Sequence, residues 1–246
     1  MDTTPTGTLF GIGVGPGDPE LMTLKAVRVL QAVDVIYTAA STKNDYSLAV
    51  NVARAHIPDA TPVIRLAFPM TRDPDETRTA WESHARTVIA ALAEKQNAAF
   101  LTLGDPMTYS TFGYLLKHIR LLAPEIPVET VPGITAYQAS AARLNIPLVE
   151  GEESLLITSG VGGGDRFREL GGKPENVVFM KAYKNVGDIS CALDEARMLG
   201  TSVGISRCGL PDEEIITDVR AMETRKPGYW TLIIAKHRNG KAPAGG

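Results

Sequence analysis

Cysteine is scarce in this chain. Only Cys191 and Cys208 occur in 246 residues, and neither belongs to a Cys-x-x-Cys pair, so neither a disulfide framework nor a thiolate metal site organises the fold. Histidine is nearly as sparse. His56, His84, His118 and His237 are scattered without metal-ligand spacing and read as surface or packing residues, so no metal is expected. No apolar run approaches the roughly 18 residues that would span a bilayer. The polar segment from Met1 to Thr8 lacks a basic n-region and an apolar signal core, so the expected location is cytoplasmic, without a membrane partner. Excess positive charge is missing too. With 25 Lys and Arg against 28 Asp and Glu the formal net charge is −3, which argues against nucleic acid as the main partner.

What is present is ordinary globular material, 44% apolar and 22% charged, in a length that suits one large or two small domains. The pattern is α/β. Apolar runs predict strands at 34–39, 62–68, 98–103 and 127–131, and a long amphipathic helix over 73–95 carries Trp81, Ala85, Val88, Ile89 and Leu92 at three-to-four spacing. After Ile146-Pro147 the pattern resets to strands at 154–158, 176–181, 202–207, 213–219 and 229–236, a glycine-rich loop at 160–165 and one good helix at 187–199. This half is expected to hold a mixed sheet. The expected division is 1–125 and 126–246, with 237–246 a polar tail.

Three corners of glycine and proline stand where strands end. The first, Gly11-Ile12-Gly13-Val14-Gly15-Pro16-Gly17-Asp18-Pro19, resembles a dinucleotide fingerprint but places Pro16 or Asp18 where the third glycine is needed, and it lacks the Gly-Lys-Ser/Thr of a phosphate loop. Asp18 or Thr23 can cap the helix that follows. The second is Leu103-Gly104-Asp105-Pro106, where proline fixes the backbone and glycine leaves it bare. The third is Val131-Pro132-Gly133-Ile134-Thr135-Ala136, with Thr135 at a helix start. Ligands of open α/β sheets collect at such strand ends. Three bare corners without a nucleophile, base or metal set describe an enzyme whose cofactor carries the reactivity.

Taken together, these corners resemble the tetrapyrrole (corrin and porphyrin) methyltransferase family, over about Leu9 to Lys236. Asp105-Pro106-Met107-Thr108-Tyr109-Ser110-Thr111-Phe112, the long 62–95 segment and Met180-Lys181-Ala182-Tyr183-Lys184 are most similar to members that methylate C-20 of precorrin-2 or cobalt-factor II. The resemblance implies two αβα domains with an active-site cleft, S-adenosylmethionine as cofactor, a tetrapyrrole substrate and a homodimer. It implies a cofactor site of Pro16, Leu103, Gly104, Asp105, Met107, Tyr109, Ser110, Thr111, Thr135 and Ala136, closed by Lys181 or Ala182 and by Cys208 or Gly209.

The substrate class is rich in carboxylates, for which Arg65, Arg72, Arg78, Lys184 and Arg207 are candidate partners. Asp105, Lys181 and Tyr229 are candidates for orienting substrate or moving a proton. Methylation at another tetrapyrrole carbon, as in uroporphyrinogen III, is the nearest alternative. A nicotinamide-dependent oxidoreductase and a non-catalytic tetrapyrrole binder stand further off.

Overall fold

The computed structural model describes residues 6–41, 47–69, 71, 73–171 and 174–237. Its contacts divide the chain into two compact units, Met1–Thr135 and Ala136–Gly246. The expected boundary after residue 125 is therefore corrected by ten residues. The strand it would have cut away, β5, pairs along β1 and completes the first sheet.

The first unit holds β1 (Leu9–Gly13), α1 (Leu24–Leu30), β2 (Val35–Ser41), α2 (Leu48–Ala53), β3 (Val63–Phe68), α3 (Pro74–Ala93), β4 (Ala98–Thr102), α4 (Phe112–Leu122) and β5 (Val128–Val131). The strands form one sheet in the order β3-β2-β4-β1-β5, and every pairing is parallel. A parallel sheet is covered on both faces, so its central strands read as continuous apolar runs. Accordingly β4, Ala-Ala-Phe-Leu-Thr, is buried at all five positions. One face packs Leu9, Tyr37 and Phe100 against Trp81, Ala85, Val88 and Leu92 of α3 and Phe112, Leu115 and Ile119 of α4. The α3 stripe is thus core, and emptying a position such as Phe112 by an alanine substitution costs about 3–5 kcal/mol. Asp73 starts α3 by accepting the Asp75 N–H at 2.9 Å, ahead of Pro74, which needs no donor there.

Both caps foreseen near the first corner are used. Asp18 accepts from Glu20 N–H and opens a single 3-10 turn over Pro19–Leu21, and Thr23 accepts from Ala26 N–H to open α1.

The second unit holds α5 (Ala136–Leu144), β6 (Leu155–Ser159), α6 (Asp165–Glu169), β7 (Asn176–Met180), α7 (Val186–Glu195), β8 (Ser202–Ser206), β9 (Glu214–Ile216), α8 (Met222–Arg225) and β10 (Thr231–Lys236). Its sheet runs β6-β7-β10-β8-β9. Only β6 and β7 are parallel, while β10 runs antiparallel to both β7 and β8, so the sheet is mixed as expected. Phe167, Val177, Phe179, Ile189, Leu193, Met222 and Ile233 form its core.

The unit is more helical than its sequence suggests. Part of the glycine-rich loop is a 3-10 turn followed by α6, held by Arg168 to Asp165, Asp188 and Glu195. No helix among the described residues is long and apolar enough to cross a membrane.

Candidate functional site

The three corners meet at the carboxyl ends of the adjacent strands β4, β1 and β5. Val14 N–H donates to Thr102 O at 3.0 Å, after which Gly15 and Gly104 exchange two backbone bonds, Gly15 N–H to Gly104 O at 3.3 Å and Gly104 N–H to Gly15 O at 2.7 Å. This small antiparallel bridge in a parallel sheet requires the chain to curl, and both glycines sit in the left-handed region, at φ 79° and 71°. Left-handed backbone is where glycine carries no Cβ penalty.

The third corner packs into the same place. A Cβ added to Gly133 would lie 2.2 Å from Gly104 O, and one added to Gly13 would lie 2.5 Å from Gly104 O and 2.7 Å from Gly133 N. Glycine at 13 and 133 is therefore demanded by backbone packed on backbone, before any ligand is considered.

Asp105 ties the corners together. Its Oδ2 accepts the Gly133 N–H at 3.1 Å across 28 residues, and its Oδ1 accepts the Met107 N–H at 2.8 Å. The carboxylate thus fixes the shape of the second corner and its distance from the third. Ser110 does similar work on the other side of the loop, with its hydroxyl 2.9 Å from that of Thr102 and accepting the Phe112 N–H at 3.1 Å where α4 begins.

Between these anchors the segment is open. Met107 is 59% and Tyr109 48% exposed, Leu103, Asp105 and Thr111 are half-buried, and Tyr109 takes a left-handed φ of 49°. After that turn α4 begins at Phe112. Pro16 and Thr135 are buried, and Ala136 is half-buried at the start of α5.

The charge of this site is one-sided. The stretches 11–19, 100–112 and 128–136 contain Asp18, Asp105 and Glu129 and not one Lys or Arg. Bare backbone and carboxylates, with Lys25 of α1 paired to Glu129, fit a positively charged, phosphate-free cofactor such as S-adenosylmethionine.

The remaining candidates in the second unit gather at one end of its sheet. Lys181 follows β7 and Arg207 follows β8, both at φ 56°, on either side of the Tyr229-Trp230 pair that leads into β10. Ala182 is buried, with its N–H on Thr231 O at 2.8 Å. Burial pushes the thiol of Cys208 up from its ordinary pKa. Gly209 N–H donates to Glu213 Oε2 at 2.9 Å, and Glu213 pairs with Arg143 of α5 at 2.7 Å.

Three of the expected substrate cations belong to the first unit. Arg65 lies exposed in the middle of the edge strand β3 rather than at its end, about 14 Å from β1 by three strand spacings. Arg78 is on the first turns of α3, paired with Asp75 at 3.0 Å, and Arg72 lies outside the described residues. Reasoning from sequence missed the Asp105–Gly133 tie, the Glu213 staple and the rings of Tyr183 and Trp230. Asp105-Pro106-Met107 carried the signal of an aspartate bonding the backbone two residues on, and Tyr229-Trp230 before a strand was a visible aromatic pair.

Fold and site together define an α/β protein with two five-stranded sheets, whose first sheet offers a bare backbone cradle. The model of the Tetrapyrrole (Corrin/Porphyrin) Methylases matches residues 8–222, and the chain belongs to that family. It is 31% identical over 229 residues to the cobalt-precorrin-2 C(20)-methyltransferase of Salmonella typhimurium, covering 93% of this chain and 95% of the relative. It is likewise 31% identical over 243 residues to the precorrin-2 C(20)-methyltransferase of a Sinorhizobium species, covering 95% and 97%. The uroporphyrin-III C-methyl transferase of Thermus thermophilus, solved with S-adenosyl homocysteine, shares the fold at a TM-score of 0.66 and 23% identity, over 94% of this chain and 97% of that one.

Proposed function

We propose that this protein uses S-adenosylmethionine to methylate C-20 of precorrin-2 or cobalt-factor II in cobalamin biosynthesis. The observation that carries the reading is the convergence of Gly13, Gly104 and Gly133 into one cradle locked by Asp105. Family membership and two relatives named for C-20 methylation, matched over nearly their whole length, support the choice of carbon. One of those names carries cobalt and the other does not, at equal identity, so both forms of the substrate stand.

When bound, the sulfonium cofactor supplies an electrophilic methyl group to an electron-rich meso carbon. The chain supplies position. Leu103, Gly104, Asp105, Met107, Tyr109, Ser110 and Thr111, with Pro16, Thr135 and Ala136, would hold the donor. Asp105 acts by fixing the second and third corners, both of its oxygens being occupied by backbone N–H groups. Fixing reactants in line accounts for about 7–11 kcal/mol of barrier in well-oriented systems, so no strong general base is required before the methyl moves. Lys181 and Tyr229 orient the acceptor, and Lys184 and Arg207 meet its carboxylates. The reading includes a cytoplasmic homodimer.

The test is to incubate the protein with carbon-13-labelled donor and either precorrin-2 or its cobalt form, then locate the label by NMR. One new methyl at a meso position is expected. Label at a pyrrole carbon would move the protein to another branch of the family, and comparing the two turnover rates identifies the preferred metal state.

A further inference from the structure

The end of the second sheet carries an aromatic cluster that methyl transfer alone does not explain. The rings of Tyr183 and Tyr229 meet edge to face at 5.3 Å between centroids, and Tyr229 and Trp230 do the same at 6.4 Å. Each ring has its own cation. Lys184 Nζ stands 5.2 Å from the centre of Tyr183, Lys181 Nζ 5.4 Å from Tyr229, and the Arg207 guanidinium 5.3 Å from Trp230, all within the range of cation–π attraction.

The placement is built by the sheet. Because β10 is antiparallel to both neighbours, the carboxyl ends of β7 and β8 flank its amino end. The backbone locks this arrangement, with Ala182 N–H on Thr231 O and Arg207 N–H on Trp230 O, each at 2.8 Å. Lys181 and Arg207 turn into left-handed backbone immediately after their strands, and such conformations in non-glycine residues cluster at ligand sites. Yet the rings are not core. Tyr229 is 46% and Trp230 37% exposed.

We infer that Tyr183, Tyr229 and Trp230, with Lys181, Lys184 and Arg207, form a platform for a polycarboxylate tetrapyrrole, on which one ring face, that of Trp230, stacks against the macrocycle while the edge-to-face rings of Tyr229 and Tyr183 border it. The inference rests on the methyltransferase reading and adds the residues that recognise the macrocycle itself. The rings supply apolar and π contact, and the cations beside them take carboxylates, a pairing that suits a ligand both planar and strongly anionic. Asp212, paired with Arg207, keeps that guanidinium at the rim when no macrocycle is present.

The test uses the full chain, with uroporphyrin III as a stable octacarboxylic probe followed by its absorbance, and S-adenosylhomocysteine binding measured separately by calorimetry. Trp230→Leu should weaken uroporphyrin at least about fivefold, the lower end for losing one stacked ring, and should raise KM for the tetrapyrrole more than it lowers kcat. Trp230→Phe should restore most of the affinity, and Tyr229→Leu should repeat the loss, while S-adenosylhomocysteine affinity stays within twofold throughout. Unchanged uroporphyrin binding in both leucine variants overturns the platform, as does equal weakening of both ligands, which would make the cluster a support of the sheet. A change of oligomeric state by light scattering with unaltered affinity also overturns it and assigns the rings to contact between copies. Wild-type protein that binds S-adenosylhomocysteine but no macrocycle would remove the functional reading itself, so the two failures are separable.

Discussion

Gly133→Ala is the sharpest perturbation of the cradle. The φ of Gly133 is not left-handed, so alanine is allowed by the backbone and the cost is purely one of space. The added Cβ would stand 2.2 Å from Gly104 O, 2.8 Å from Gly13 Cα and 2.9 Å from Gly13 C. All three neighbours are backbone atoms, so no flexible side chain can swing aside, and the gap to Gly104 O must open to at least 3.0 Å. Overpacking of this kind costs about 1–3 kcal/mol. In a chain of this size that is a fall in Tm of roughly 2–4 °C per kcal/mol. The functional loss should be larger, because the displaced atoms shape the cofactor site and misplacement by about 1 Å can cost on the order of 100-fold in rate. Calorimetry with S-adenosylhomocysteine and a thermal melt are sufficient assays. Gly113→Ala is the control, since nothing lies within 4 Å of its Cβ and alanine favours a helix over glycine by about 1 kcal/mol. If Gly133→Ala binds S-adenosylhomocysteine and melts like wild type, the corners are not packed as described and the argument from convergence fails.

Other outcomes follow from individual bonds. Asp105→Asn keeps one accepting oxygen where two N–H groups now bond, so it should lose one charge-assisted bond worth about 1.5–3 kcal/mol when buried and less at this half-buried site. S-adenosylhomocysteine affinity should fall in the order wild type, Asn, Ala, and equal affinity in all three would contradict the bridging role. The Ser154 hydroxyl and N–H hold the Glu175 carboxyl down to about 2 from an ordinary 4.5. A carboxyl depressed in the folded state stabilises fully above its unfolded pKa, and that stability drains away as pH falls from about 4.5 towards 2. Denaturant melts of Glu175→Gln across this range should show a shallower acid slope than wild type, and parallel slopes would refute the assignment. With an aromatic disulfide reagent, exposed Cys191 should react quickly and buried Cys208, its thiol pKa raised, slowly. Comparable rates would mean that Cys208 is open.

Much of the fold was legible because its signals are local. Strand β4 announces itself as a short apolar run closed by Gly104 and Pro106, and α3 by the Trp81 to Leu92 stripe behind an Asp73-Pro74 start. The second unit was harder. Helices α6 and α8 have five and four residues, too short for periodicity to register, and α6 depends on Arg168 reaching Asp188 and Glu195 from a different helix. The domain boundary was misplaced because Pro127 to Val131 looks alike as the last strand of one unit or the first of the next. Only pairing with β1 decides it. In the site, the three corners were readable as bare backbone, but the reason for Gly13 and Gly133 was not. Their requirement comes from contacts with one another and with Gly104, residues far apart along the chain, which no local pattern encodes.

On the proposed reading, the charge at the two candidate sites follows the charge of the two reactants. The first site offers backbone and carboxylates at its three corners, and the stretches that form them contain no lysine or arginine of their own, Lys25 of α1 being paired with Glu129. A sulfonium donor is itself positive, so a lysine or arginine there would repel the group to be bound, and at low dielectric that repulsion would be large. The acceptor is the reverse case, an anionic ring whose carboxylates must be desolvated by partners of opposite sign or remain unbound. Lys181, Lys184 and Arg207 collect at one end of the second sheet, each over its own ring. Segregating the charges lets each ligand find one favourable surface and one unfavourable one. On the proposed reading, selectivity between donor and acceptor follows from where the sequence places its cations, without any side chain having to take part in the bond that forms.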